Sequence, residues 1–154
     1  MQSNIDHNTI KQLVAESQKD GVQKLVVGAV IRRDDKFLLL ERLPSDFMGG
    51  LVELPSGTVD AGENLLMALT REVQEETGLT VTSVLTYLGS FDYMSSSGKK
   101  TRQFNFLVET GQGEVKLEPT EHQAHHLVAP SDEAFNTLNI SDATKAVLQT
   151  AARQ

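Results

Sequence analysis

The sequence predicts an α+β fold, an α/β/α sandwich whose mixed sheet carries one central helix and one C-terminal helix. Three observations predict it. Short β-branched and apolar runs recur along the chain between turn residues, as strands do. Helical periodicity occupies the middle of the chain, from about Asn64 to Thr77, and returns at Asp142 to Ala152. The 154 residues, 39% of them hydrophobic, suit one core and one globular domain.

The elements follow in order. Residues 8–19 set Ile10, Leu13, Val14 and Ser17 at helical spacing behind a cap at Asn8. An amphipathic helix is therefore expected in an N-terminal extension over 1–22, with a frayed tail as the alternative. Residues 23–154 are expected to form the single main domain. Residues 24–33 and 36–42 flank Asp34 and Asp35 and read as a hairpin. Pro44 to Gly50 is a loop, Leu51 to Leu54 a short strand ended by Pro55, and residues 56–62 a glycine-bearing loop. After the mid-chain helix, Gly78 sits where a left-handed cap belongs. Residues 80–93 and 101–109 read as strands joined by a turn at Ser95–Lys100. Residues 114–117 and 125–129 are short strand candidates, and Ser131–Leu138 and Asp142–Ala152 are helices.

Charge and composition narrow the function. A net charge of −7 opposes non-specific binding to a nucleic-acid polymer or an anionic membrane. It does not oppose a small phosphorylated partner, because a bound cation reverses the sign of a site locally. No cysteine is present, which removes disulfides, thiolate metal sites and cysteine nucleophiles. No basic flank precedes an apolar run near the start, and no stretch is apolar enough to span a bilayer. A cytoplasmic protein, monomer or homodimer, is expected.

The mid-chain helix carries the chemistry. Glu72, Glu75 and Glu76 fall on one stripe, beside an apolar stripe of Leu66, Leu69 and Val73. Met67, Thr70 and Gln74 lie opposite. The acids thus run along the edge of the buried face. Like charges at this spacing repel by a few tenths of a kcal/mol. Acids in a last turn also oppose the helix dipole, by roughly 0.3–1 kcal/mol each. Arg71 is the only basic residue in the helix and cannot neutralise three carboxylates. Clustered hard oxygens suit Mg²⁺ or Mn²⁺. The competing reading is a solvated acidic face paired with distant lysines.

The spacing around the helix decides between them. Gly57, five residues, Glu63, seven residues, then Arg71-Glu72-Val73-Gln74-Glu75-Glu76-Thr77-Gly78-Leu79 resembles the Nudix box, GX5EX7REUXEEXGU, where U is a bulky aliphatic residue. All seven fixed letters match, a coincidence of about one in 10⁸ starting points at roughly 7% per residue type. The hairpin before the box and the strands after it also suit that family's α/β/α sandwich. The resemblance implies a Nudix pyrophosphohydrolase that uses Mg²⁺ or Mn²⁺ and water to cut a diphosphate linkage.

The resemblance assigns roles residue by residue. Glu75 and Glu76 are implied metal ligands, and Glu72 a ligand or general base. The Ser56 carbonyl, where other members often have glycine, is a further ligand if the loop needs no positive φ there. Arg71 braces a carboxylate through a bidentate pair. Gly57, Glu63 and Gly78 support the loop. The family often adds an acid outside the box. Glu121, just before an apolar run, is the choice, with Glu118 as competitor, and Glu121 is also the alternative general base.

Arg42, Phe47, Tyr93 and Arg102 are candidates for the substrate wall, since aromatics stack on a base and arginine holds phosphate. Phe104 and Phe106 alternate on a strand and read as core. His122, His125 and His126 read as substrate contacts or surface rather than a dedicated metal site. A small nucleotide substrate is implied, first a (deoxy)nucleoside triphosphate, oxidised or not, giving monophosphate and pyrophosphate. ADP-ribose or nucleotide-sugar hydrolysis is the alternative, disfavoured by the lack of any proline between Pro55 and Pro119. A non-catalytic nucleotide sensor is the alternative of a different class, opposed by the intact box. The isomerase relatives acting on isopentenyl diphosphate use a cysteine, which this chain lacks.

Overall fold

The structure, a computed structural model, describes residues 1–154. Strands β2 (Lys24–Arg33) and β3 (Lys36–Arg42), numbered after a short β1 (Gln2–Ser3), hold near-continuous apolar runs. Val26 to Ile31 and Phe37 to Leu40 are buried on both faces. Strands of that kind belong inside a sheet covered on two sides. Their turn has φ of +52° at Asp34 and +64° at Asp35, the two positive values a two-residue hairpin turn requires. Aspartate tolerates that region better than most side chains.

Beyond the turn β2 and β3 part company. Only Arg32↔Phe37 and Arg33↔Lys36 pair. β2 then pairs antiparallel with β5 (Ser56–Thr58) through Val26↔Thr58 to Gly28↔Ser56. On its other side β2 runs parallel to β7 (Lys100–Thr110), which pairs antiparallel with β6 (Val81–Met94). β3 pairs with β4 (Val52–Glu53) and β8 (His122–Val128). The long path is β1-β6-β7-β2-β3-β4, with β5 on β2 and β8 on β3. The box loop is thereby stitched to the central strand.

Helices cover both faces. Helices α1 (His7–Lys19) and α2 (Leu65–Thr77) pack through Ile10, Leu65, Leu69 and Val73 onto Val27, Phe104 and Phe106. On the other face α3 (Ala134–Thr137) and α4 (Asp142–Ala152) bring Phe135 and Leu148 onto Val30, Leu39 and Leu107. Each such buried side chain stabilises the fold by about 1.5–3 kcal/mol relative to exposure. The α/β/α sandwich is observed.

The local differences have local causes. Asp6, not Asn8, caps α1, its Oδ1 accepting from the Asn8 N–H at 2.9 Å. Residues 56–58 are a strand because β2 offers a free edge there. Residues 114–117 are not a strand. Val115 and Leu117 pack on the first core, but the segment reaches the fold's backbone through Lys116 N–H to Thr77 O at 2.8 Å. The last strand begins at His122 rather than residue 125, because Arg42↔His122 extends its pairing with β3. The helix expected over 131–138 contracts to Ala134–Thr137.

Candidate active site

The site is built where the box loop returns to α2. Asn64 caps that helix, its Oδ1 accepting from Met67 N–H at 2.8 Å. Gly78 ends it at φ +73°. Gly57 lies against the Glu72 carboxyl so closely that a Cβ would overlap it. Any side chain there would displace that carboxyl from its place on Arg71. Arg71 then ties loop to helix. Its Nε and Nη2 each donate to Glu63 at 2.8 Å, Nη1 donates to Glu72 at 2.7 Å and to Glu75 at 3.2 Å, and Nη2 donates to Thr58 O at 3.0 Å. The guanidinium and the Asp60 N–H hold Glu63 well below the usual carboxylate range.

Glu76 sits deeper. It is buried, and Oε1 accepts from the Ser56 N–H at 2.7 Å. Ser56 meets Glu76 through this amide, and its φ is not positive. Burial pushes the Glu76 carboxyl up to about 9, with the charges of Glu121, Glu72 and Glu53 adding to the rise. Burial likewise raises Glu72, against the pull of Arg71. Glu75, by contrast, has a side chain 57% exposed.

A second chain of contacts reaches Glu76 from the sheet. Arg42 clamps Glu53 with Nε at 2.9 Å and Nη2 at 3.0 Å. Glu53 Oε2 lies 3.0 Å from Nε2 of buried His122. Burial opposes the charge on Glu53, but His122 and Arg42 outweigh it and lower the group. His122 Nδ1 is 3.9 Å from Glu76 Oε2 and is the one buried side-chain polar atom without a hydrogen-bond partner. Leaving such an atom unmatched costs about 1–3 kcal/mol. Donor atoms of Glu76, Glu121 and His122 all lie within 4.8 Å of one another. Converging carboxylates, a strongly raised acid and an orphaned nitrogen are what a divalent cation would resolve, so the donor set fits one.

The remaining candidates divide. Phe47 joins the Arg42 group, its carbonyl accepting from Arg42 Nη1 at 2.8 Å. Phe47 and Tyr93 are both exposed. Partial burial raises the Tyr93 phenol, and the Glu53 charge adds to that. Arg102 is elsewhere. Its Nε and Nη2 donate to Asp92, and Nη1 to Asp20 beyond α1, at 2.7–3.0 Å. Glu118 closes its own turn by accepting from Thr120. His125 is exposed and His126 pairs with Glu41 at 3.0 Å. Phe104 and Phe106 are core.

Glu53 is what sequence reasoning missed, and His122, read from sequence as a substrate contact or surface residue, is instead buried. Glu53 left a signal, an acid set between apolar residues in the short run Leu51-Val52-Glu53-Leu54. His122 left only its place beside Glu121.

The sequence matches the NUDIX domain family over residues 22–149. It is 35% identical to the CTP pyrophosphohydrolase of Escherichia coli over 107 residues, 70% of this chain and 76% of that one. It is 34% identical to the ADP-ribose pyrophosphatase of Methanocaldococcus jannaschii over 96 residues, 60% of this chain and only 54% of the relative's length. Among solved structures, the MutT NUDIX hydrolase of Burkholderia pseudomallei aligns with a TM-score of 0.71 at 29% identity, covering 82% of this chain and 96% of that one.

Proposed function

This chain belongs to the NUDIX domain family of hydrolases, and we propose that it hydrolyses the diphosphate linkage of a nucleoside triphosphate, releasing monophosphate and pyrophosphate. The observation that carries the reading is the convergence of donor atoms of Glu76, Glu121 and His122 within 4.8 Å of one another, with Glu72, braced by Arg71, near enough for its charge to raise Glu76. Glu72, Glu75, Glu76, Glu121 and the Ser56 carbonyl would hold Mg²⁺ or Mn²⁺. Such an ion, when bound, offsets phosphate charge and lowers the pKa of its water.

The chain's own groups do the rest. Glu72 is the proton acceptor. Burial raises its carboxyl above the ordinary value, against the pull of Arg71, which makes it a stronger proton acceptor than an exposed carboxylate. Arg71 keeps the Glu72 carboxyl turned onto the Gly57 loop. As water adds to one phosphorus, the bridging P–O bond breaks and its electron pair leaves with the second phosphate. Phe47 and Tyr93 offer aromatic surface beside Arg42 for the base. Arg42, already clamped on Glu53, organises this wall.

The CTP pyrophosphohydrolase relative, with the wider coverage, favours the triphosphate class. The test is a panel of nucleoside triphosphates, dinucleoside polyphosphates, ADP-ribose and nucleotide sugars with Mg²⁺ and with Mn²⁺. Pyrophosphate and monophosphate from a triphosphate are expected. Turnover of ADP-ribose or nucleotide sugars alone would move the substrate class. No turnover of any compound would leave a nucleotide sensor.

A further inference from the structure

We propose that His122 is a nitrogen ligand of the site's divalent cation, completing with Nδ1 a donor set that includes Glu76 and Glu121. The inference rests on the reading of this cluster as a cation site. It adds a donor type the box lacks, since the box side chains gathered here are carboxylates.

The geometry begins at the other ring nitrogen. His122 Nε2 lies 3.0 Å from Glu53 Oε2, and Glu53 is clamped as an acceptor by Arg42 Nε and Nη2. Nε2 must therefore donate. In the neutral ring this puts the proton on Nε2 and the lone pair on Nδ1. With His122 only 4% exposed, that lone pair has no route to bulk water. It has no hydrogen-bond partner and looks toward Glu76 Oε2 at 3.9 Å.

The Nδ1 lone pair and the Glu76 Oε2 atom, separated by 3.9 Å, are too far apart for a hydrogen bond, so each faces the other with a donor pair the protein leaves unused. Two atoms each about 2.1 Å from one ion can be separated by up to about 4.2 Å. The observed gap fits inside that limit, and the Glu121 carboxylate belongs to the same cluster. A metal-bound histidine usually gives its second N–H to a carboxylate, which fixes the ring's tautomer and direction. Glu53 holds that position here and Arg42 holds Glu53, so both are positioning residues. A mixed nitrogen and oxygen set also shifts preference from Mg²⁺, which favours oxygen and water, toward transition ions.

Electron spin-echo envelope modulation of the full chain loaded with Mn²⁺ reads the bound nitrogen directly, without activity. Wild type is expected to show a directly coordinated ¹⁴N, replaced by the ¹⁵N pattern when histidine is ¹⁵N-labelled. His122→Gln is expected to lose the signal, still bind Mn²⁺ through its carboxylates, and weaken its Kd about tenfold or more. Bound Mn²⁺ without histidine coupling, or coupling that persists in His122→Gln, overturns the assignment and leaves the carboxylate site standing. Failure of wild type to bind Mn²⁺ overturns both. Should His122→Gln not fold, the labelled wild type decides, since His7 lies on α1, His125 is exposed and His126 is paired with Glu41.

Discussion

Glu75 and Glu76 are adjacent in sequence and alike in chemistry, yet their side chains are 57% and 8% exposed. The difference sets what each proton does. Burial, with the charges of Glu121, Glu72 and Glu53, lifts Glu76 from its ordinary 4.5 to about 9. A carboxyl raised in the folded state holds its proton more tightly there than in the unfolded chain. Its contribution to stability is full below about pH 4.5 and is lost as pH climbs through about 9. In chelator-treated protein, the wild-type melting temperature is therefore expected to fall more steeply than that of Glu76→Gln between about pH 6 and about pH 10. Groups away from the cluster titrate alike in both proteins, so the difference reads Glu76 together with the carboxyls its charge acts on. Parallel melting curves would remove the buried, proton-holding Glu76.

At the scale of elements, the unit is α2 with the loop behind it, and Arg71 is the joint. One guanidinium meets Glu63 through two parallel bonds and reaches Glu72 and Thr58 as well. Lysine keeps the charge but has no planar fork. Arg71→Lys is expected to lower the melting temperature by about 2–4 °C, the effect of about 1 kcal/mol in a chain of this size, and to weaken Mg²⁺ binding measured by calorimetry. Unchanged values would mean the fork contributes nothing. This unit was legible in the sequence because local signals specify it: the apolar stripe and the Gly78 cap, while Asn64, read as the start of the helical pattern, is its N-cap. The tight spacing from Gly57 to Gly78 was legible too, and the overlap a Cβ would make with Glu72 supplies its physical reason. Residues 114–117 and β5 were not, since strand status depends on an open edge elsewhere in the fold.

Across the whole molecule, the same limit explains the site. Arg42, Glu53 and His122 come from β3, β4 and β8, and only the sheet register brings them to Glu76. Nothing in their sequence spacing states that. Arg102 shows the converse. An arginine on a strand reads as a phosphate hand, but its donors bridge Asp92 on β6 to Asp20 after α1. Residues 1–22 are drawn into the fold in the same way, through β1 on β6 and Ile10 in the core. The N-terminal segment thus packs on the face that bears α2, while Glu76 of α2 meets the sheet through His122 of β8 and, behind it, Glu53 of β4. The most direct measurement is kcat for Glu76→Gln with saturating Mg²⁺ on the best triphosphate, using protein whose melting curve shows it folded. A loss of roughly a thousandfold or more, about 4 kcal/mol of transition-state stabilisation, is expected; turnover equal to wild type would contradict a cation held by this helix as the agent of hydrolysis.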